Sequence, residues 1–130
     1  MNNNNNNKNN YNSEVIDRWG NSKEYLEFKN KSKNYTNEKY DSIAKEMNSI
    51  FDEFYLCLCN NEKIESDNVM ILVKKLQDYI SSHFYNCSNK ILLSLGKLYI
   101  CDERFKNNID FNRIGTSSYI NNAIEYYCSK

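Results

Sequence analysis

The residues of this chain best suited to chemistry are its five cysteines and its single histidine, His83. A cysteine thiolate is a soft nucleophile, and it is most available where the pKa of the thiol is lowered. Cys87 lies four residues after His83 and directly after Asn86, a residue type that often begins a helix. In the first turn of such a helix, the helix dipole and the free backbone N–H groups would lower the pKa of Cys87.

The same residues leave two interpretations of Cys87 open. If one helix were continuous across Asn86, His83 could act as a base toward a reactive Cys87 thiol. Alternatively, Cys87 is a small buried apolar residue, as free cysteines commonly are, and His83 is a partly buried residue at a helix end. The sequence offers no recognisable third group to orient a nucleophile and its base. We therefore do not expect an enzyme.

Metal and cofactor sites are not expected either. The cysteines are odd in number and form no C-x-x-C pair. Cys57 and Cys59 are two residues apart on a predicted helix, so their side chains point to different faces. One histidine without ligand spacing makes a poor zinc or haem site. The thiols are most simply interpreted as a reduced, cytosolic set.

The charge balance of the chain argues against direct contact with nucleic acid. The formal net charge is +0 and the sequence pI is about 6.6. Nucleic-acid binding draws most of its affinity from neutralised phosphates, which requires a basic surface. No apolar run approaches the ~18 residues of a membrane span, and an asparagine tract stands where a signal peptide would be apolar. We expect a cytoplasmic protein that contacts neither DNA nor membrane.

The hydrophobic pattern predicts helices throughout, with no sustained alternation of the kind that indicates strands. Residues 1–12 form an asparagine-rich tail that we expect to be disordered, and residues 13–130 form one helical domain. A short helix is predicted over 13–19, ended by Gly20, and Ser22 can cap the next. That second helix contributes apolar contacts from Tyr25, Leu26 and Phe28.

The longest predicted helix begins at Thr36 or Asn37 and ends at Asn60-Asn61. Its core stripe consists of Tyr40, Ile43, Met47, Ile50, Phe51, Phe54 and Leu58. Another helix starts at Ser66 or Asp67 and faces inward with Val69, Leu72, Val73, Leu76, Tyr79, Ile80 and Phe84. The short polar link between them predicts an antiparallel hairpin.

Three further elements complete the predicted all-α architecture. Asn86 is expected to cap a helix that carries Ile91, Leu92, Leu95, Leu98 and Tyr99. Asp102 then begins a brief turn through Arg104 and Phe105. Gly115 breaks the chain before a last helix with Tyr119, Ile120, Ala123, Ile124 and Tyr127.

Several landmarks along the chain, in order and spacing, resemble the TipAS antibiotic-recognition domain. The first set is Arg18-Trp19-Gly20-Asn21 followed by Lys33-Asn34-Tyr35-Thr36. The second set is Phe84-Tyr85-Asn86-Cys87, Leu95-Gly96-Lys97-Leu98-Tyr99 and Asp102-Glu103-Arg104-Phe105. The resemblance runs from about Val15 to Tyr127. It implies a compact, globin-like multi-helix fold without haem.

The resemblance also implies a function, because this domain is the ligand-sensing half of drug-responsive MerR-type transcriptional activators and also occurs as a free-standing antibiotic-binding protein. We expect binding and sequestration of a thiopeptide or another bulky hydrophobic antibiotic. The alternative is a detached sensor or interaction module of a MerR-type regulator, which would be its partner.

The family captures thiopeptides through a cysteine that adds to a dehydroalanine, and the resemblance places that position at Ser94. A serine hydroxyl has too high a pKa for this addition without a base, so we expect non-covalent binding. The expected ligand-binding residues are Trp19, Tyr85, Cys87, Ile91 and Ser94. Trp19 can serve either as a pocket wall or as a core anchor. The chain's 11 tyrosines suit a cleft for heterocyclic ligands, although helix packing also uses aromatics.

Overall fold

The computed structural model describes residues 23–130, and all of its regular structure in that range is helical. The helices are α1 (Lys23–Ser32), α2 (Asn37–Cys59), α3 (Asp67–His83), α4 (Asn89–Cys101), α5 (Glu103–Asp110) and α6 (Thr116–Cys128). The predicted all-α class is confirmed. The predicted disordered tail, the helix over 13–19 with Gly20, and the cap Ser22 lie outside the described residues.

Side-chain caps fix where the helices begin. The hydroxyl of Thr36 accepts a hydrogen bond from the backbone N–H of Lys39 at 3.1 Å, and Ser66 does the same for α3. Asp102 caps α5 through the N–H of Arg104 at 2.9 Å. The first two caps were predicted. The brief turn predicted after Asp102 is wrong, because capping there starts an eight-residue helix.

The predicted cap at Asn86 is also wrong. Ser88 caps α4 by accepting the N–H of Ile91 at 3.2 Å, so the helix starts two residues later than predicted. The reason lies in the segment 84–87, where Tyr85 and Cys87 are drawn into the core while Asn86 stays exposed. Tyr85 is 7% exposed and Cys87 is 4% exposed.

Helices α2 and α3 form the predicted antiparallel hairpin. Lys75 on α3 pairs with Glu53 on α2 at 2.7 Å, and further along α3 the hydroxyl of Tyr79 bonds to Glu46, earlier on α2. The two sequences therefore run in opposite directions. Of the predicted stripe on α2, Ile43, Ile50, Phe51 and Phe54 are buried and Met47 and Leu58 are partly buried. Tyr40, in the first turn, is 44% exposed and packs edge-on against Tyr35.

Helices α4 and α6 pack most closely, and Gly96 allows this. A Cβ at Gly96 would stand 2.7 Å from Oδ1 of Asn121 and 3.4 Å from Ile124 on α6. Tyr127 and Tyr119 then join α6 to the hairpin by donating hydrogen bonds to Gln77 at 2.9 Å and to the Glu62 carbonyl at 2.6 Å. The core lies where α2, α3, α4 and α6 meet. No helix within 23–130 has both the length and the apolar character needed to cross a bilayer.

Gly96→Val is expected to lower the free energy of unfolding by about 2 kcal/mol, since added bulk in a packed core forces displaced side chains. Asn121 must move, and Ile124 is fully buried and offers little space. Urea denaturation measures the change. Ser94→Ala, at an exposed position of the same helix, is the control and should shift stability by less than about 0.5 kcal/mol. An unchanged midpoint for Gly96→Val would contradict the close packing of α4 on α6.

Candidate functional site

The segment between α3 and α4 is held against the core by hydrogen bonds from α3. The backbone N–H of Cys87 donates to Oγ of Ser81 at 3.0 Å, and the Cys87 carbonyl accepts from Nε2 of Gln77 at 2.9 Å. The same Gln77 amide donates to Oδ1 of Asn89 at 2.9 Å. Gln77 therefore fixes both the segment and the start of α4.

Of the two interpretations of Cys87, the structure favours the buried apolar residue. Burial, and secondarily the nearby Cys128, raise the pKa of Cys87 to about 12, so the thiol stays protonated at neutral pH. The residue precedes the helix cap, and it therefore does not lie in the first turn where the dipole would help. The burial of Cys87 agrees with the interpretation as a small core residue.

His83 and Cys87 do not lie on one continuous helix, because α3 ends at His83. Its Nδ1 lies 3.0 Å from the carbonyl oxygen of Tyr79, and its ring stacks on the Tyr79 ring with centroids 4.1 Å apart. The hydroxyl of Tyr35 donates to the His83 carbonyl at 2.7 Å. His83 thus ends the helix as a partly buried aromatic residue.

The structure separates the predicted ligand-binding residues into two layers. Tyr85 and Cys87 lie in the core, Ile91 is partly buried against it, and Ser94 is exposed on α4. The hydroxyl of Ser94 donates to the carbonyl of Lys90 at 3.3 Å. Cys87 precedes α4, so it does not lie on a helix face with Ser94. Trp19 lies outside the described residues.

Sequence reasoning missed Cys101, an exposed cysteine at the end of α4. It follows Ser94 by seven residues, close to two full turns, so the two side chains lie along one face of the helix. The signal was available in the sequence as a spacing. Lys97 lies between them and pairs with Glu125 of α6.

Aromatic side chains pack at the start of this segment, and a second aromatic pair joins α4 to α5. Phe28 of α1 meets Phe84 with ring centroids 5.6 Å apart, and Phe84 lies 6.4 Å from Tyr85. On the α5 side, Tyr99 contacts Phe105 at 6.1 Å. Phe28 and Phe84 are only partly buried, which leaves apolar aromatic surface beside the segment.

The chemistry available at this site is binding by apolar contact and hydrogen bonding. Within residues 23–130, His, Cys, Asp and Glu side chains form no group of three that could hold a metal ion. The Ser94 hydroxyl has the Lys90 carbonyl as its hydrogen-bond partner, which is not a base that could activate it.

Comparison with known proteins decides the family. Residues 11–127 match the model of the TipAS antibiotic-recognition domain, nearly the whole chain. The chain belongs to the TipAS family. It is 32% identical over 114 residues to the HTH-type transcriptional activators TipA of Streptomyces coelicolor and Streptomyces lividans, covering 88% of this chain and 45% of each relative. It is also 32% identical over 80 residues to the activator mta of Bacillus subtilis, covering 60% of this chain and 31% of that relative.

A solved structure shares the TipAS fold with this chain. The match to TipAS from Streptomyces lividans, solved in complex with nosiheptide as part of a thiopeptide antibiotic resistance system, has a TM-score of 0.84 at 30% identity. It covers 93% of this chain and 85% of the other. The expected globin-like architecture is thereby confirmed. The chain spans less than half the length of the curated activators that it matches.

Proposed function

We propose that this chain binds thiopeptide-type antibiotics reversibly and lowers their free concentration. The observation that carries the proposal is the likeness to TipAS solved with nosiheptide, at a TM-score of 0.84 over 93% of this chain. Ligand contact would be made at the exposed face of α4 around Ile91 and Ser94. Tyr85 and Cys87 would form the floor beneath it, and Trp19 would close it.

Reversible binding is the expected mode because neither Ser94 nor Cys87 is an available nucleophile, and the exposed Cys101 lies seven residues, about 10 Å, beyond Ser94 along α4. Ser94 carries a hydroxyl with no base beside it. Cys87 is 4% exposed, and burial raises the pKa of its thiol to about 12. Because neither group is activated, we propose a binding protein without catalysis and without a cofactor.

The alternative, a detached sensor or interaction module of a MerR-type regulator, is not favoured. The related activators are whole regulators in which the matched region makes up 45% of the length. They give no specific support for this region acting on a separate regulator.

Intact mass spectrometry with nosiheptide tests the proposal. A one-to-one complex is expected under native conditions and should be absent after denaturation, because no covalent bond forms. An adduct that survives denaturation would contradict the reversible mode, and its position by peptide mapping would identify the thiol. If neither spectrum contains a complex, thiopeptide binding is wrong.

Ser94→Trp provides a site-specific variant for the same experiment, since the exposed position accepts a large side chain without disturbing the core. We expect affinity to fall by roughly tenfold or more, because the indole occupies ligand space and one lost hydrophobic contact corresponds to this factor. Ser118→Trp, at an exposed serine of α6, is the matched control and should bind as the parent does.

A further inference from the structure

A groove lies between the C-terminal half of α2 and the N-terminal half of α3, apart from the site described above. It encloses about 350 Å³ and is lined by Glu53, Leu56, Cys57, Asn60, Glu62, Asn68, Ile71 and Leu72. Its floor includes the buried Cys57 and Leu72. On its walls, Leu56 is 60% exposed and Ile71 is 65% exposed. Two large aliphatic side chains thus face solvent across one concave surface.

The end of the groove is rigid. The turn after α2 is closed by the N–H of Asn60 donating to the Leu56 carbonyl at 2.9 Å and by the N–H of Glu62 donating to the Cys57 carbonyl at 2.9 Å. The hydroxyl of Tyr119 on α6 donates to the Glu62 carbonyl at 2.6 Å. A preformed groove requires little ordering when it binds, which favours affinity.

The carboxylate of Glu62 gives the groove its charge. Its hydrogen-bond donors within residues 23–130 are neutral: Oγ of Ser66 and Nδ2 of Asn68, both at 3.3 Å, and the thiol of Cys57. Burial and the nearby Glu62 raise the pKa of Cys57 to about 11, so the thiol remains a donor at neutral pH. These donors orient the Glu62 carboxylate without neutralising its charge.

The second acid of the groove differs from Glu62. Glu53 pairs with Lys75 at 2.7 Å, and this pair sits at the side of the groove. The groove therefore combines the aliphatic side chains of Leu56, Ile71 and Leu72 with a polar rim, on which the Glu62 carboxylate has no ion-pair partner within residues 23–130. A matching partner therefore carries a positive charge next to an apolar side chain.

We propose that this groove docks a short amphipathic helix of a partner polypeptide. One or two aliphatic side chains of that helix lie between Leu56 and Ile71, and a lysine or arginine pairs with Glu62. Grooves between helices commonly receive the apolar face of such a helix. A volume of about 350 Å³ is near the lower end of small-molecule sites, ~300–1,000 Å³, and suits a few side chains better than a macrocycle.

The docking surface is separate from the proposed antibiotic site in its residues. None of its lining residues lies on α4 or in the segment that leads to it. Binding at one place can therefore be measured while the other stays intact. The failure of one proposal would leave the other standing.

The test uses a synthetic helix with leucine and lysine at helical spacing, titrated into isotope-labelled protein and followed by NMR. The expected result is a set of shift changes confined to the groove residues. Ile71→Ser should weaken binding roughly tenfold, since an aliphatic side chain then loses its buried contact. Glu62→Gln should weaken binding and reduce its dependence on salt. Leu26→Ser, at a 54% exposed leucine on α1, is the control and should leave binding unchanged.

Three results would overturn the proposal. The first is equal binding of a helix with glutamate in place of lysine, or of a scrambled sequence. The second is unchanged affinity in Ile71→Ser. The third is a dimer in analytical ultracentrifugation that Ile71→Ser abolishes, since a second copy of this chain would then occupy the groove.

Discussion

Ser94→Cys is expected to convert reversible binding of a dehydroalanine-bearing thiopeptide into covalent capture. Ser94 is exposed on the α4 face at which we propose ligand contact, so a thiol there would be accessible. The thiolate adds to the terminal alkene carbon, the alkene electron pair moves to the α-carbon, and water supplies the proton there. Nothing leaves, so the protein mass should rise by the whole mass of the ligand.

The pH dependence and the controls distinguish site-directed capture from simple thiol reactivity. Formation of the adduct should accelerate as pH rises toward the ordinary thiol pKa of about 8.5, because the thiolate is the reacting form. Ser94→Ala should form no adduct. Ser118→Cys presents a thiol at an exposed position of α6, and the native Cys59 at the end of α2 is exposed as well. Equal labelling at these positions, or none in Ser94→Cys, would contradict the proposed binding face.

Asp110→Ala should produce the largest loss of stability among the polar substitutions. The carboxylate of Asp110 accepts the backbone N–H of Ser117 at 2.8 Å and its hydroxyl at 2.9 Å, and it pairs with Lys106 at 3.1 Å. Ser117 is fully buried, so its donors would be left unsatisfied. Orphaned buried donors correspond to a loss of about 2–4 kcal/mol in the free energy of unfolding.

Low pH should remove the stabilising contribution of the Asp110 carboxylate in the parent protein. Burial alone would raise the pKa of Asp110, but the hydrogen bonds from Ser117 and Lys106 outweigh it and hold the pKa below its usual value. Since folding lowers this pKa, the stabilisation is complete above the unfolded value of about 3.9 and is lost as pH falls through the folded value. The difference in urea stability between parent and Asp110→Ala should therefore begin to narrow only as pH falls below ~4, and it should continue to narrow through the folded pKa.

Asp78→Ala serves as the control for Asp110. Within residues 23–130, the one ion pair of Asp78 is with Lys74 at 3.3 Å on the surface, and its side chain is 62% exposed. Such a pair contributes about 0–1 kcal/mol, so its removal should change little at any pH. A similar loss at both positions would contradict the special role of Asp110 at the start of α6.

Much of the fold was predictable because most helix starts and core faces depend on local sequence. Thr36 and Ser66 cap helices whichever tertiary structure follows, and the stripe from Ile43 to Leu58 has helical spacing. Asn86 was an exception. Its local preference for a cap was overridden when Gln77 and Ser81 on another helix bound Cys87 and drew the segment inward.

Tertiary contacts of the same kind explain why part of the site could not be predicted from the sequence. The reactivity of Cys87 depends on its burial, and burial depends on contacts from α3 and α6 that no short motif contains. The helix face on which Ser94 lies was predictable, because the spacing of residues along one helix fixes which side chains share a face. The α2–α3 groove was not, since Leu56 and Ile71 belong to different helices and become neighbours only after the hairpin forms.

Two turns of this structure have a consequence for the nucleic acid that encodes it. Asn61 and Asn112 both adopt φ of 57°, a left-handed conformation usually given to glycine. The chain has only three glycines and no proline, whose codons are rich in G and C, whereas asparagine codons begin with two adenines. Asparagine tolerates the left-handed region better than other side chains do. Asparagine at these turns therefore allows the same helical fold to be encoded by a gene poor in G and C.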